Sequence, residues 1–208
     1  VVDLGCGDGA WLKIFEQNGV DSILGVDGSW VPKENLKIPL KCFHEHSLDQ
    51  PFLSDKRFDL AMSLEVAEHL AKKRAQPLVE ELTALAPIIL FSAAIPGQGG
   101  VNHINEQWPS YWKELFARHD YVSVDILRRE IWNEPNVTWW YKQNLILYIS
   151  HHLLKEKNNL GLNWDSESEK TLDLVHPELW IKTLKPNKPS FNSFLRFKIR
   201  RLRQLVDN

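Results

Sequence analysis

The opening stretch VVDLGCGDGAWL constrains this chain more than any other segment. A short apolar run, residues 1–4, empties into Gly5, Cys6, Gly7, Asp8 and Gly9, and residues 10–18 then show helical spacing through Trp11, Leu12 and Phe15. This reads as strand, tight turn, helix. Glycine permits the turn and lets a ligand approach the main chain, while the helix start behind it offers free N–H groups. Gly5, Gly7 and Ala10 also satisfy the looser G-x-G-x-x-A fingerprint, so the turn alone leaves nicotinamide and other adenosine cofactors open. The chain begins at Val1, inside the expected strand, so an N-terminal part is expected upstream of it.

Further along, residues 20–26 read as a second strand ending at Asp27, residues 40–44 as a third and residues 58–64 as a fourth, with Pro32, Pro39 and Pro51 in the loops. Residues 65–86 are rich in Ala, Leu, Glu and Lys and interrupted only by Pro77, which predicts two consecutive helical pieces. A strand over 88–94, a helix over 108–119 and strands over 122–127 and 144–149 complete the pattern. A β-α-β alternation counted five times predicts an α/β, doubly wound, mostly parallel sheet covered on both faces, spanning residues 1–150. Residues 151–208 form an appended region: 151–168 is polar and irregular, and 183–190 carries two prolines and two lysines. Its end places apolar residues at 191, 195, 199, 202 and 206 with Arg196, Arg200, Arg201 and Arg203 between them, the pattern of a basic amphipathic helix. Such a helix packs on the domain or on a second subunit as a homodimer contact, or meets a membrane surface or polyanion.

Charge and cysteine content narrow the setting. Against 27 Asp and Glu stand 25 Lys and Arg, a formal net charge of −2 that argues against a surface built for nucleic acid. With only Cys6 and Cys42 there is no disulfide framework, which favours a reducing, cytoplasmic compartment. No apolar stretch approaches the roughly 20 residues of a transmembrane segment.

Two further acids follow the glycine turn at telling intervals. Asp27 closes the second strand 22 positions after Gly5, where a carboxylate can accept both ribose hydroxyl protons. His46, Ser47, Leu48 and Asp49 follow the third strand, where a carboxylate can take the amino group of an adenine. Each Asp could separately cap a turn; Asp3, Asp27 and Asp49 together within fifty residues favour an adenosine ligand. The segments VVDLGCGDGAWL, GVDGS, HSLDQPF, FDLAMSLEVAEHL and IILFSAAIPGQGG resemble the class I S-adenosylmethionine-dependent methyltransferases over residues 1–149. That resemblance implies a Rossmann-like seven-stranded sheet with an antiparallel last strand, S-adenosylmethionine as cofactor and S-adenosylhomocysteine as product. Carried over residue by residue, Gly5, Cys6, Gly7 and the nearby backbone hold the methionine portion, with Asp3 facing its amino group. Asp27 and Gly28 take the ribose, Leu48 and Asp49 the adenine, and Ser63, Leu64 and Glu65 close the site. GGVNHINEQWPSYWKELF is similar to bacterial members of this superfamily associated with small-molecule or saccharide tailoring.

Methyl transfer needs alignment of nucleophile, methyl and sulfur, exclusion of water and, for a hydroxyl, a proton acceptor. The residues suited to that task follow the fourth and fifth strands: Glu65, Glu68 and His69 at helical spacing, then His103 near Asn102, Asn105 and Glu106. Three readings stay open. His69 or His103 is a general base oriented by Glu68 or Glu106. Alternatively Glu65, Glu68, His69 and His103 bind a divalent cation, as the similar Glu-x-x-Glu-His run with a later His does in ubiquinone-pathway O-methyltransferases and plant small-RNA 2′-O-methyltransferases. Otherwise Glu65 and Glu68 complement the positive end of a helix and His69 packs beside the cofactor. Trp30, Trp108, Tyr111, Trp112, Trp132, Trp139, Trp140 and Tyr141 either line a pocket or serve as core. An O-methyltransferase of a small metabolite or saccharide is the reading that absorbs most of these residues. The alternatives are an inactive S-adenosylmethionine-binding subunit, a metal-dependent RNA methyltransferase and an NAD-dependent dehydrogenase.

Overall fold

The computed structural model describes residues 1–156 and 171–184. Seven strands form one sheet: β1 Val2–Leu4, β2 Leu24–Asp27, β3 Phe43–Glu45, β4 Ala61–Leu64, β5 Ile88–Ser92, β6 Tyr121–Val124 and β7 Ile146–Ser150. Their order is β3-β2-β1-β4-β5-β7-β6. The β1–β2, β1–β4, β2–β3 and β4–β5 pairs are parallel, whereas β7 runs antiparallel between β5 and β6. This Rossmann-like α/β sheet departs from the 3-2-1-4-5-6 order of dinucleotide-binding halves by that inserted last strand.

Helices cover both faces. On one, α2 Ala75–Leu85 and α3 Pro109–Ala117 press Leu78, Leu82, Trp112 and Phe116 onto Val2, Leu4, Ala61, Ile89 and Tyr148. On the other, Leu12 of α1 Ala10–Gln17 packs with Val1, Ile38 and Met62, and Leu154 of α6 His151–Glu156 with Val124 and Ile149. The alternation of Ala61 and Met62 between the two clusters follows from the two-residue period of a strand. Two short helices, α4 Leu127–Ile131 and α5 Trp139–Asn144, lead into β7, and α7 Pro177–Leu184 packs against α5.

Several expected elements take a different form. Residues 20–23 are not strand, because Gly19 turns with φ 89° and Asp21 and Ser22 point to solvent; β2 starts only where β1 can pair with it. The expected strand over 40–44 opens instead with a 3-10 turn at Leu40–Cys42, and only Phe43–Glu45 pairs as an edge strand. No α-helix lies between β2 and β3 or between β3 and β4, so the βαβ alternation is interrupted there. The strand expected over 122–127 ends at Val124, since Asp125 turns in to pair with Arg128. Ile88–Ser92 likewise stops short of Ala94.

The largest departure is at 65–74. Instead of entering a helix, Glu65 adopts φ 55°, and Ala67–His69 and Lys72–Arg74 form single 3-10 turns before α2 begins. Pro77 lies in the first turn of α2, where a missing N–H costs nothing. Residues 151–156, expected to be irregular, are helical. Residues 171–184 are stitched to the sheet domain: the fully buried Arg128 donates to both carboxylate oxygens of Asp125 and to the carbonyls of Gln143 and Leu172. The Gln143 amide in turn donates to the Leu174 carbonyl and accepts from the His176 N–H. The expected basic helix over 191–206 lies outside the described residues.

Candidate active site

The glycine turn is built by positive φ at Gly5, Gly7 and Gly9 (88°, 53° and 80°), a region closed to most side chains. A Cβ on Gly5 would stand 2.3 Å from Val66 Cγ2, so the turn after β1 and the turn after β4 abut without room for a methyl group. Asp27, at the end of β2, ties the turn down: its carboxylate accepts the Gly7 N–H at 2.7 Å and the Gly28 N–H at 2.7 Å. Beneath it Asp3 is 2% exposed and its Oδ1 has no partner among the described residues. Burial, reinforced by the charge of Asp27, pushes the Asp3 carboxyl up to about 7.

These elements bound a cleft of ≈ 240 Å³ at the carboxyl edge of the sheet. Gly5, Gly7, Asp27, Trp30, Leu48 and Asp49 line one side, and Glu65, Val66, His69 and Leu70 the other. Cys6 and Gly28, expected in the site, are not among the residues that line the cleft; the Cys6 side chain turns away into the cluster around Leu12 and Ile38, where burial raises its thiol pKa. Ser63 and Leu64 are buried behind the wall rather than on it, and Ser63 Oγ has no partner among the described residues. Trp30 is 67% exposed with its ring lying across Gly28.

At the far end of the cleft the turn after β4 meets the loop after β5. Ile104 and Asn105 donate their N–H groups to the Glu68 carbonyl, and the Asn105 amide donates to the Ala67 carbonyl. These bonds bring His69 and His103 edge to face with ring centroids 4.9 Å apart. Glu68, His69 and His103 each offer a ligand atom within 4.8 Å of the others. Glu68 is wholly buried with both oxygens unpartnered, and burial together with the nearby Glu65 charge pushes it up to about 8. Partial burial, with the His103 ring beside it, lowers His69. Glu106 accepts from the Gly97 and Gly99 N–H groups and binds His103 Nδ1 at 3.0 Å, which leaves Nε2 as the basic nitrogen. A Cβ at Gly100 would collide with that ring, so a larger residue there would have to displace His103.

Glu65, whose charge acts on Glu68, is held by a different set of partners. Its carboxylate accepts from Asn144 Nδ2 at 3.0 and 3.3 Å and from Gln98 Nε2 at 3.2 Å. Burial raises its pKa while the Asn144 hydrogen bond opposes the rise. Helical spacing thus does not bring 65, 68 and 69 together; a left-handed residue and a 3-10 turn do. Gln98 and Asn144 carried no sequence signal beyond a polar residue inside the glycine-rich loop 97–100 and one at the head of a strand. The aromatic residues disperse: Trp112 is core against Phe91, Trp132 packs on His176, Trp139 takes Lys182, and Tyr141 accepts from Trp11 Nε1. Of the aromatic set only Trp30 lines the cleft.

The Methyltransferase domain family matches residues 1–87. Among solved structures, the putative methyltransferase bound to the Trm112 methyltransferase activator of Haloferax volcanii is 17% identical over 72% of this chain and 81% of that one, with a TM-score of 0.53. Magnesium protoporphyrin IX methyltransferase of Synechocystis PCC 6803 with bound SAM is 15% identical over 72% and 68%, with a TM-score of 0.53. The methyltransferase domain of the bacterial protein CtHen1-C is 18% identical over 72% and 88%, with a TM-score of 0.52. The chain spans 42% of the LepI structure it also matches. No curated protein matches it. Residues 1–87 thus match a methyltransferase domain, and the sheet order with its antiparallel β7 is the fold of these methyltransferase structures.

Proposed function

We propose that this enzyme methylates an oxygen of a small metabolite or saccharide, with S-adenosylmethionine as donor and S-adenosylhomocysteine as product. The observation that carries the reading is one cleft that joins the glycine turn and Asp27 to His69, whose ring meets that of His103 edge to face. The cleft suits the donor: an unpartnered buried Asp3 oxygen lies under the turn, and the glycine cradle there has no space for a side chain at Gly5 or Gly9. In this reading the Gly5, Cys6 and Gly7 backbone hold the methionine portion and Asp3 faces its amino group. Asp27 and Gly28 hold the ribose, and Leu48 and Asp49 bind the adenine. Trp30 covers the adenosine end; Ser63 and Leu64 back the wall that Glu65 presents.

Bound there, the sulfonium supplies an already activated methyl group, so the protein's task is alignment, dehydration and proton removal. His69, neutral at pH 7 and on the cleft wall, accepts the acceptor hydroxyl proton; His103, fixed by Glu106, and the buried Glu68 support it from behind. Two unpaired thiols fit a cytoplasmic setting, and no helix among the described residues is long and apolar enough to cross a membrane.

One observation favours a second mechanism at the same site. The two orphaned Glu68 oxygens facing two imidazoles, one of them with its Nδ1 held by a carboxylate, form a donor set for a divalent cation that would orient vicinal acceptor oxygens. Measuring S-adenosylhomocysteine release across a panel of hydroxylated metabolites and sugars tests both. With a base alone, His69→Ala lowers kcat by about 100-fold or more and dialysis against a chelator changes nothing. With a cation, chelation abolishes turnover and Mg²⁺ or Zn²⁺ restores it. Full rates in the His69→Ala variant would remove both.

A further inference from the structure

Glu65 is a half-buried acid in strained backbone, and neither mechanism above uses it. Its φ of 55° is unfavourable for a residue with a Cβ, and such strain persists only where surrounding structure holds it. The holding is visible: the Glu65 N–H donates to the Ser92 carbonyl at 3.0 Å and to Ser92 Oγ at 3.1 Å. Its carboxylate is gripped by two amide side chains, Asn144 and Gln98, which are 3% and 6% exposed. The two amides are locked to each other, Asn144 Nδ2 donating to Gln98 Oε1 at 3.0 Å, and the Ile95 N–H donates to the same Gln98 oxygen. Three strand ends of the sheet, those of β4, β5 and the start of β7, therefore converge on one carboxylate set in the cleft wall beside Val66, which itself abuts Gly5.

We infer that Glu65 is the site's counter-charge for the methyl donor, and that Asn144 and Gln98 are the positioning residues that aim it. The inference rests on the cofactor reading above. Donor and demethylated product carry the same adenosine, amino and carboxylate groups and differ in the positive charge at sulfur. A fixed anion in a partly desolvated wall favours the charged member of that pair, because Coulomb attraction strengthens as water is excluded. A neutral side chain of the same shape does not discriminate. The arrangement thereby favours loading of the donor and release of the spent product. The amide partners fit that role: Asn144 and Gln98 orient the Glu65 carboxylate by hydrogen bonds and carry no charge of their own.

The test is calorimetric titration of the intact chain with S-adenosylmethionine and, separately, with S-adenosylhomocysteine. Glu65→Gln is expected to lower the ratio of donor to product affinity by about tenfold or more, with product affinity changed less than about threefold. Asn144→Leu and Gln98→Leu move the ratio in the same direction without removing a charged side chain, which a purely structural role for these amides would not do. If Asn144→Leu fails to fold, Gln98→Leu and the isosteric Glu65→Gln still give the readout. An unchanged ratio in Glu65→Gln, or equal weakening of both ligands, overturns the inference while leaving the cofactor reading intact. Absence of binding by the wild-type chain to either ligand overturns both.

Discussion

Asp3 is 2% exposed at the centre of β1, and burial with the Asp27 charge raises its carboxyl from 3.8 to about 7. Between pH 4 and 7 the folded chain thus holds a proton that the unfolded chain releases. The stability that Asp3 contributes in its neutral form is complete below pH 4 and is lost as pH rises through 7, on the order of 4 kcal/mol across the window. Asp3→Asn, neutral throughout, should match the wild-type melting temperature near pH 4 and exceed it by a growing margin up to pH 8 in the absence of ligand. A constant margin would contradict the assignment. Asp27 and Asp49, which line the cleft, stood out in the sequence because one closes a strand and the other follows one by a few residues. Gln98 and Asn144 did not, because each acts through a contact between segments dozens of residues apart, on which spacing in the sequence is silent.

At the level of elements, the glycine turn separates two costs. Gly5→Ala meets both the left-handed φ and Val66 at 2.3 Å, whereas Gly7→Ala meets the φ of 53° alone, with nothing within 4 Å of the added carbon. Urea unfolding should therefore show Gly7→Ala losing about 1 kcal/mol and Gly5→Ala at least about 2 kcal/mol more, the scale of forced overpacking. Equal losses would mean that the β1 and β4 turns do not abut. The strand–turn–helix opening could be read from the sequence because its glycines have no other economical use. The start of 65–86 misled for a physical reason: Ala, Leu and Glu favour helix locally, but at Glu65 tertiary hydrogen bonds to Ser92, Asn144 and Gln98 outweigh that preference. Only from Ala75 does burial of Leu78, Val79 and Leu82 support the helix.

Across the whole molecule, residues 171–184 are joined to the sheet domain by Leu172 in its core and by polar pins, with Lys142 on Glu178 at 2.7 Å and Ser110 on Asp173 adding to the Arg128 contacts. Arg128→Met leaves Asp125 charged and fully buried, so it should cost about 3–5 kcal/mol and speed amide exchange over 172–179 before the sheet opens. Exchange that stays as slow there as in β5 would show that the segment is held otherwise. Composition and periodicity revealed the layered α/β plan and the break in character after Ser150, but gave no warning that the chain beyond it returns to Arg128 and Gln143. The central claim is that this cleft takes an adenosyl sulfonium, and equilibrium dialysis of the intact chain against labelled S-adenosylmethionine tests it most directly. The account predicts one molecule retained per chain, displaced by S-adenosylhomocysteine and not by NAD; no retained label, or displacement by NAD, would contradict it.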